Sequence, residues 1–327
     1  MKLLFVFTGG TIGSTADGEI ITIDHQKPYV LLEEYSKRYP IDFAYTATKP
    51  YSILSENNSG KELRMLCDCV QSHLGDDYDG IVVTHGTDTL QYSAAALSYT
   101  VGSSSIPICL VSSNFTIEDA RSNAMANLHG AVEFIRRGCE KGVWVSYQNT
   151  NDCIRIHRAS RLLASDAFSA DIFSAQDCWY GCFDAQMHFT KNPAYRESED
   201  GMASLSTSAL AEQCESIVRI EPYVGMTYPE LGSKVRYVLL GSYHSGTVNT
   251  VSPSARAFYE KAHQKGVTVF LTGVTDGTIY ESAKSFDELH IIPIPDISPI
   301  GAYVKLWLCA DSEQVVKMMN TPLGGDK

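Results

Sequence analysis

Leu3-Leu4-Phe5-Val6-Phe7 runs straight into Thr8-Gly9-Gly10-Thr11-Ile12-Gly13, and the same grammar returns at Gly80-Ile81-Val82-Val83-Thr84 followed by His85-Gly86-Thr87-Asp88-Thr89. Each is a short, continuous apolar run broken by glycines and hydroxyls. Such a run without polar alternation predicts a strand buried on both faces, the environment of a parallel sheet. In open α/β sheets ligands gather at the carboxyl ends of strands. The two glycine-threonine loops therefore mark the candidate site. The glycines let backbone approach a ligand closely. Thr87 or Asp88 is expected to open a helix, whose unpaired N–H groups suit an anion or an oxyanion.

Outward from these strands the pattern alternates. A helix is predicted from Gly60 to Leu74, then the strand at residues 80–84, then an Ala/Ser/Leu-rich helix ending near Tyr99. A strand from Ile106 to Ser112, a helix from Ala120 to Arg137 and a strand from Gly142 to Tyr147 follow. Strands alternating with helices predict a doubly wound, mostly parallel α/β sheet. The pattern fades into polar, Gly/Pro/Ser-bearing sequence near residues 191–213. We place a linker there, between an N-terminal catalytic α/β domain at 1–190 and a smaller C-terminal α/β domain at 214–327. The smaller unit reads as strand Val235–Leu240, helix Pro253–Gln264 and strand Val267–Leu271, with a last helix over Pro299–Leu308.

Composition narrows the function classes. Lysine plus arginine number 26 against 38 acidic residues, a formal net charge of −12. A surface of that sign repels phosphate backbones and argues against nucleic-acid binding. The nine cysteines are odd in number and scattered, which fits reduced thiols in a cytosolic protein better than a disulfide framework. No CxxC, HxH or HExxH pattern points to a metal. The glycine loops are neither a GxGxxG fingerprint nor a P-loop, so no nucleotide cofactor is implied. The N-terminal apolar run stops at Gly9, too short for a signal peptide, and nothing approaches the roughly 20 residues of a membrane span. The expectation is a cytoplasmic protein without a membrane partner.

Taken together, Thr8-Gly9-Gly10-Thr11-Ile12-Gly13 and Thr84-His85-Gly86-Thr87-Asp88-Thr89 resemble the two signature segments of the bacterial-type L-asparaginase family, in its cytoplasmic form. Tyr92–Ser98 resembles the family's following helix. Arg121-Ser122-Asn123 with Asn127-Leu128 resembles its next helical motif, Asn123 replacing the usual Asp. The likeness is strong over about residues 1–165 and weaker beyond. It implies hydrolysis of L-asparagine to L-aspartate and ammonia, without cofactor or metal, through a threonine nucleophile and an acyl-enzyme. Thr11 would attack the amide carbon, and Thr87 would line the other side, with N–H groups of its loop, Gly86 included, steadying the oxyanion. Asp88 would pair with the substrate α-ammonium. Ser55 would bind the α-carboxylate and Glu56 would assist at the ammonium. Asn249 resembles a residue that one protomer of a homodimer or homotetramer contributes to its neighbour's site.

Two positions depart from the pattern. The family's catalytic lysine falls in an Arg-Ala-Ser-Lys-like stretch, and here Arg158-Ala159-Ser160-Arg161 ends in arginine. Arginine effectively cannot lose its proton, so Arg161 would supply fixed charge only. The loop after Gly13 lacks the usual tyrosine: Glu19 stands near that position and the first tyrosine is Tyr29. These losses keep two other readings open, an amidohydrolase of glutamine or another short amide, and an amino-acid-binding paralogue with impaired catalysis. A related amidotransferase component that acts with tRNA shares the motifs. It is disfavoured because it usually carries an extra N-terminal domain, whereas here the signature strand begins at residue 2, and because of the negative charge.

Overall fold

A computed structural model describes residues 1–10, 14–17, 20–23, 28–138, 140–198, 204–277 and 280–327, with backbone alone at 14–17, 20–23 and 28–29. The expected nucleophile Thr11 and the loop residue Glu19 lie outside the described residues.

Five parallel strands form the centre of a large sheet: β1 (Lys2–Phe7), β4 (Ala44–Thr48), β5 (Gly80–Thr84), β6 (Pro107–Val111) and β7 (Gly142–Gln148). The sheet continues through antiparallel β8 (Ile154–Arg158), β9 (Gly181–Phe183) and β10 (Phe189–Lys191), in the order β10-β9-β8-β7-β6-β5-β1-β4. A separate hairpin joins β2 (Ser14–Asp17) to β3 (Ile20–Ile23). Every residue of β5 and β6 is buried, as their unbroken apolar runs require.

Helices cover both faces. Leu4, Val6, Ile81, Val83 and Leu110 pack against α2 (Gly60–His73) and α3 (Leu90–Val101). On the opposite face Leu3, Phe5, Val82 and Cys109 meet α1 (Pro28–Arg38) and α4 (Ala124–Arg136). This is the expected doubly wound arrangement. A second sheet, all parallel, runs β11 (Ile217–Ile220), β12 (Tyr237–Leu240), β13 (Thr268–Val274), β14 (Ile291–Pro295). Helix α5 (Pro253–Gln264) covers one of its faces. Helices α6 (Pro299–Cys309) and α7 (Val315–Asn320) cover the other, and α6 also packs on α3, so one apolar core runs through both sheets. Ser59, Ser252 and Ser298 cap α2, α5 and α6, the last two ahead of a proline at the first helical position. Among the described residues no helix is long and apolar enough to cross a membrane.

Two helix starts differ from the sequence expectation. Helix α4 begins at Ala124 rather than Ala120, because the Asp119 carboxylate accepts both the main-chain N–H and the guanidinium of Arg121 and holds a turn there. Helix α3 begins at Leu90, with Thr89 before it, because the hydroxyls of Thr87 and Thr89 are engaged by neighbouring loops.

Candidate active site

In the sheet β1 lies between β4 and β5, so the winding reverses direction at the β1/β5 boundary. Such a reversal splays the two following loops apart and leaves a crevice at the strand ends. The loop at Thr8–Gly10 follows β1 and the loop at His85–Thr89 follows β5, so both signature segments meet at this switch point. The third wall is the single 3-10 turn Ser55–Asn57.

These three pieces are joined backbone to backbone. Gly10 donates its N–H to the Ile53 carbonyl at 3.1 Å, and Ile53 N–H donates to the Thr8 carbonyl at 3.2 Å. Gly10 has φ +80°, and a Cβ there would lie 2.3 Å from the Gly86 nitrogen. A Cβ on Gly86 would lie 2.5 Å from Ser55 Oγ. Glycine is required at both positions because no side chain fits between the loops. The Thr8 hydroxyl ties the first loop to the second by donating to the Thr84 carbonyl at 2.8 Å.

Within this junction the Ser55 hydroxyl, itself buried, donates to Asp88 Oδ2 at 3.0 Å. Asp88 stands exposed at the rim, and among the described residues no Lys, Arg or His ion-pairs with it. Glu56, which follows Ser55 in the same turn, is exposed. The Thr87 hydroxyl lies 2.8 Å from Ser112 Oγ and donates to the Ser113 carbonyl at 3.1 Å. Both serines are wholly buried in the loop after β6, which Asn127 secures by donating to the Ser112 carbonyl and accepting the Gln148 N–H. His85 is buried behind the site. Burial pushes its imidazole down to about 4, outweighing the Gly86 carbonyl and the Asp88 charge that favour protonation. The neutral ring places Nδ1 against the Gly86 carbonyl at 2.7 Å and Nε2 against Ser93 Oγ at 2.7 Å. Nδ1 then carries the proton and Nε2 accepts.

Of the residues singled out from sequence, Ser55, Gly86, Thr87 and Asp88 converge here, with Glu56 alongside. Arg161 does not. Its Nε donates to the Gly325 carbonyl at 2.7 Å, one terminal nitrogen to the Arg196 carbonyl at 2.9 Å and to Cys178 Sγ, and the other to the Lys327 main-chain oxygen at 2.6 Å. Buried and stacked over Tyr195, its guanidinium anchors the C-terminal segment. The contact to the Thr87 loop from this stretch comes instead from Ser165 Oγ, which donates to the Thr87 carbonyl at 3.4 Å. Asn249 is exposed at the end of the second sheet, where its side-chain carbonyl accepts the N–H groups of Val251 and Ser252 ahead of α5. Sequence reasoning missed Thr8, Asn58, Thr89, Ser93, Ser112 and Ser113. Thr8 and Thr89 lie inside the quoted motifs, but the others carry no local signal because their partners are remote in the chain.

Residues 2–195 match the family described as "Asparaginase, N-terminal". A glutamyl-tRNA(Gln) amidotransferase component of Pyrococcus abyssi is 27% identical over 354 residues, covering 99% of this chain and 76% of that protein. Its counterpart of the same name in Methanopyrus kandleri is 27% identical over 343 residues, covering 98% and 73%. Among solved structures, the thermostable L-asparaginase of Thermococcus kodakarensis superposes with a TM-score of 0.76 at 22% identity, covering 100% of this chain and 99% of that one. L-asparaginase I of Vibrio cholerae gives 0.75 at 20% identity, covering 99% and 98%. At these identities the structural likeness speaks to the fold.

Proposed function

The chain belongs to the asparaginase family, and on that premise we propose that it hydrolyses the side-chain amide of a free amino acid, L-asparagine foremost, to the acid and ammonia. The observation that carries this reading is the buried Ser55 hydroxyl bonded to the exposed carboxylate of Asp88, which has no ion-pair partner among the described residues, set at the switch point beside Gly86 and Thr87. An uncompensated carboxylate at a cleft rim attracts an ammonium. As the α-ammonium docks on Asp88, the Ser55 hydroxyl turns its hydrogen to the α-carboxylate, and Glu56 adds negative charge near the ammonium. The side chain of the ligand then lies along Gly86 and Thr87. Thr11 attacks the amide carbon and N–H groups of the Gly86-Thr87 loop hold the developing oxyanion. The proton of the attacking hydroxyl leaves on ammonia. Water then cleaves the acyl-threonine to release the acid and restore the hydroxyl.

Arg161 takes no part in this scheme, because its guanidinium is bound to the C-terminal segment. That no Lys, Arg or His among the described residues ion-pairs with Asp88 favours a second reading, a protein that binds the amino acid and turns it over slowly. The relatives named as amidotransferase components span nearly all of this chain at 27% identity. They support a variant of the same chemistry in which the amidohydrolase works within an amidotransferase. In every version the protein acts in the cytoplasm as an assembly of more than one chain, with residues near Asn249 facing a neighbour.

Ammonia release from L-asparagine, D-asparagine and L-glutamine tests the proposal against Thr87→Ala. Turnover of asparagine that Thr87→Ala abolishes is the expected result. Release from none of the three, together with calorimetric binding of L-aspartate, would replace the hydrolase by the binder.

A further inference from the structure

The turn that carries Ser55 is only three residues long, so something beyond its own hydrogen bonds must hold it against Asp88. Asn58, directly after it, does this through both its backbone and its side chain. Its N–H donates to the Ser55 carbonyl at 3.0 Å. Its side-chain Nδ2 donates to Thr89 Oγ1 at 2.8 Å and lies 3.3 Å from His85 Nε2. Thr89 Oγ1 passes its own hydrogen to the same Ser55 carbonyl at 2.9 Å. The hydrogens therefore run in one direction, from Asn58 to Thr89 to Ser55, while the single Nε2 lone pair of neutral His85 takes the Ser93 hydrogen at 2.7 Å and, more weakly, shares the second Asn58 hydrogen at 3.3 Å.

This closed ring spans the two loops that carry the clamp, since Thr89 adjoins Asp88 and the Ser55 carbonyl belongs to the residue that bonds Asp88. The ring carries a cost: Asn58 Oδ1 is buried and has no hydrogen-bond partner among the described residues. A leucine or methionine at 58 would fill such a space without that cost, so the amide is retained for what its donors hold.

We infer that Asn58 is a positioning residue that sets the Ser55–Asp88 clamp, and with it the preference for substrates bearing an α-ammonium, acting through Thr89 and His85. The inference deepens the proposed amidohydrolase reading and rests on it for the identity of the ligand. Asn58 touches no ligand group itself. Its loss frees the turn to drift from Asp88, which weakens recognition of the amino-acid end and leaves the amide-cleaving end, held by Ser112 and Ser113, in place.

The test compares L-asparagine with succinamate, the same amide without the α-ammonium, in the full-length wild type, Asn58→Ala and Thr89→Val. For Asn58→Ala, KM for asparagine rises roughly tenfold, of the size one lost hydrogen bond produces, while kcat stays within about twofold. The ratio of kcat/KM for asparagine to that for succinamate falls by about the same factor. Thr89→Val, which leaves the 55–58 turn unaltered in sequence, gives the same fall, and the double variant adds little. Equal losses on both substrates, a loss in kcat alone, or no change in the ratio for either variant would each overturn the inference. If the wild type releases ammonia from neither compound, the hydrolase reading fails by itself. The ring is then read by calorimetry with L-aspartate against succinate. A weakening by Asn58→Ala confined to aspartate upholds the inference, and equal weakening, unchanged binding or no binding of aspartate overturns it.

Discussion

Replacing Asp326 by asparagine removes one charge from an ion pair that is fully buried on both sides. Lys305 Nζ donates to Asp326 Oδ2 at 2.7 Å and to the Thr321 carbonyl at 2.6 Å. Tyr99 donates its hydroxyl to the same carboxylate oxygen at 3.2 Å, and the Leu323 N–H donates to Oδ1 at 2.9 Å. The pair welds the C-terminal segment to α3 and α6, and through that segment it fixes Ser160, which donates to the Gly324 carbonyl, and Arg161. Asp326→Asn keeps the shape and the bond from Leu323 but leaves the Lys305 charge in a dry core facing an amide. Breaking a buried pair by removing one partner costs about 3–5 kcal/mol. An unfolding entropy of roughly 2.1 cal/mol/K per residue, over 327 residues, gives about 0.7 kcal/mol/K. The melting temperature should therefore fall by about 4–7 °C if the chain unfolds as one unit. Scanning calorimetry on wild type, Asp326→Asn, Lys305→Met and the double variant is the assay. The double variant should be less destabilised than the sum of the singles by about 1–3 kcal/mol, since it no longer strands a charge. A shift under about 1 °C for Asp326→Asn, or strictly additive singles, would refute the argument that this pair locks the tail.

Other expectations are as direct. Arg161→Lys should bring no gain in asparagine hydrolysis, and should lower stability by roughly 1–3 kcal/mol because an ammonium cannot serve four acceptors spread around a guanidinium. A clear gain in ammonia release would show that the cation reaches the site after all. Gly10→Ala must place a Cβ 2.3 Å from the Gly86 nitrogen at φ +80°, so activity should vanish and urea unfolding should show a loss of more than about 2 kcal/mol. Near-normal turnover in that variant would break the three-loop geometry. His85, held at about 4 against its ordinary 6.5, favours the unprotonated folded state. Its contribution is complete above pH 6.5 and drains as pH falls toward 4, on the order of 3 kcal/mol in all. Urea midpoints measured across that range should fall with pH, and His85→Gln should flatten part of the slope. An unaltered slope would mean that the ring is not buried neutral.

What could be read from the chain alone follows from which forces are local. The runs at residues 3–7 and 80–84 are strands because unbroken apolar residues have no polar face to offer water, and the glycine-threonine loops after them follow from strand polarity. Their identity as one site needed only the rule that parallel strands gather ligands at their carboxyl ends. Boundaries at 253 and 299 were legible because Ser-Pro pairs state a helix start in two residues. The antiparallel strands β8–β10 were not, since they are short and their pairing joins residues such as Ile154 and Phe183 that say nothing to each other along the sequence. Arg161 marks the sharper limit. Its place in an Arg-Ala-Ser-Arg stretch aligns it with a catalytic position, yet side-chain direction is set by whichever acceptors tertiary packing brings near. Here those are carbonyls and a main-chain oxygen of the C-terminal segment and of Arg196. The Asn58 ring has the same origin: an asparagine after a turn is ordinary until the turn is folded against a threonine and a histidine from another loop. Sequence determined the strands, the loops and the hydroxyl and carboxylate they carry. Only the tertiary structure decided which polar groups face one another, because a hydrogen bond acts over about 3 Å and that distance is fixed by the whole fold.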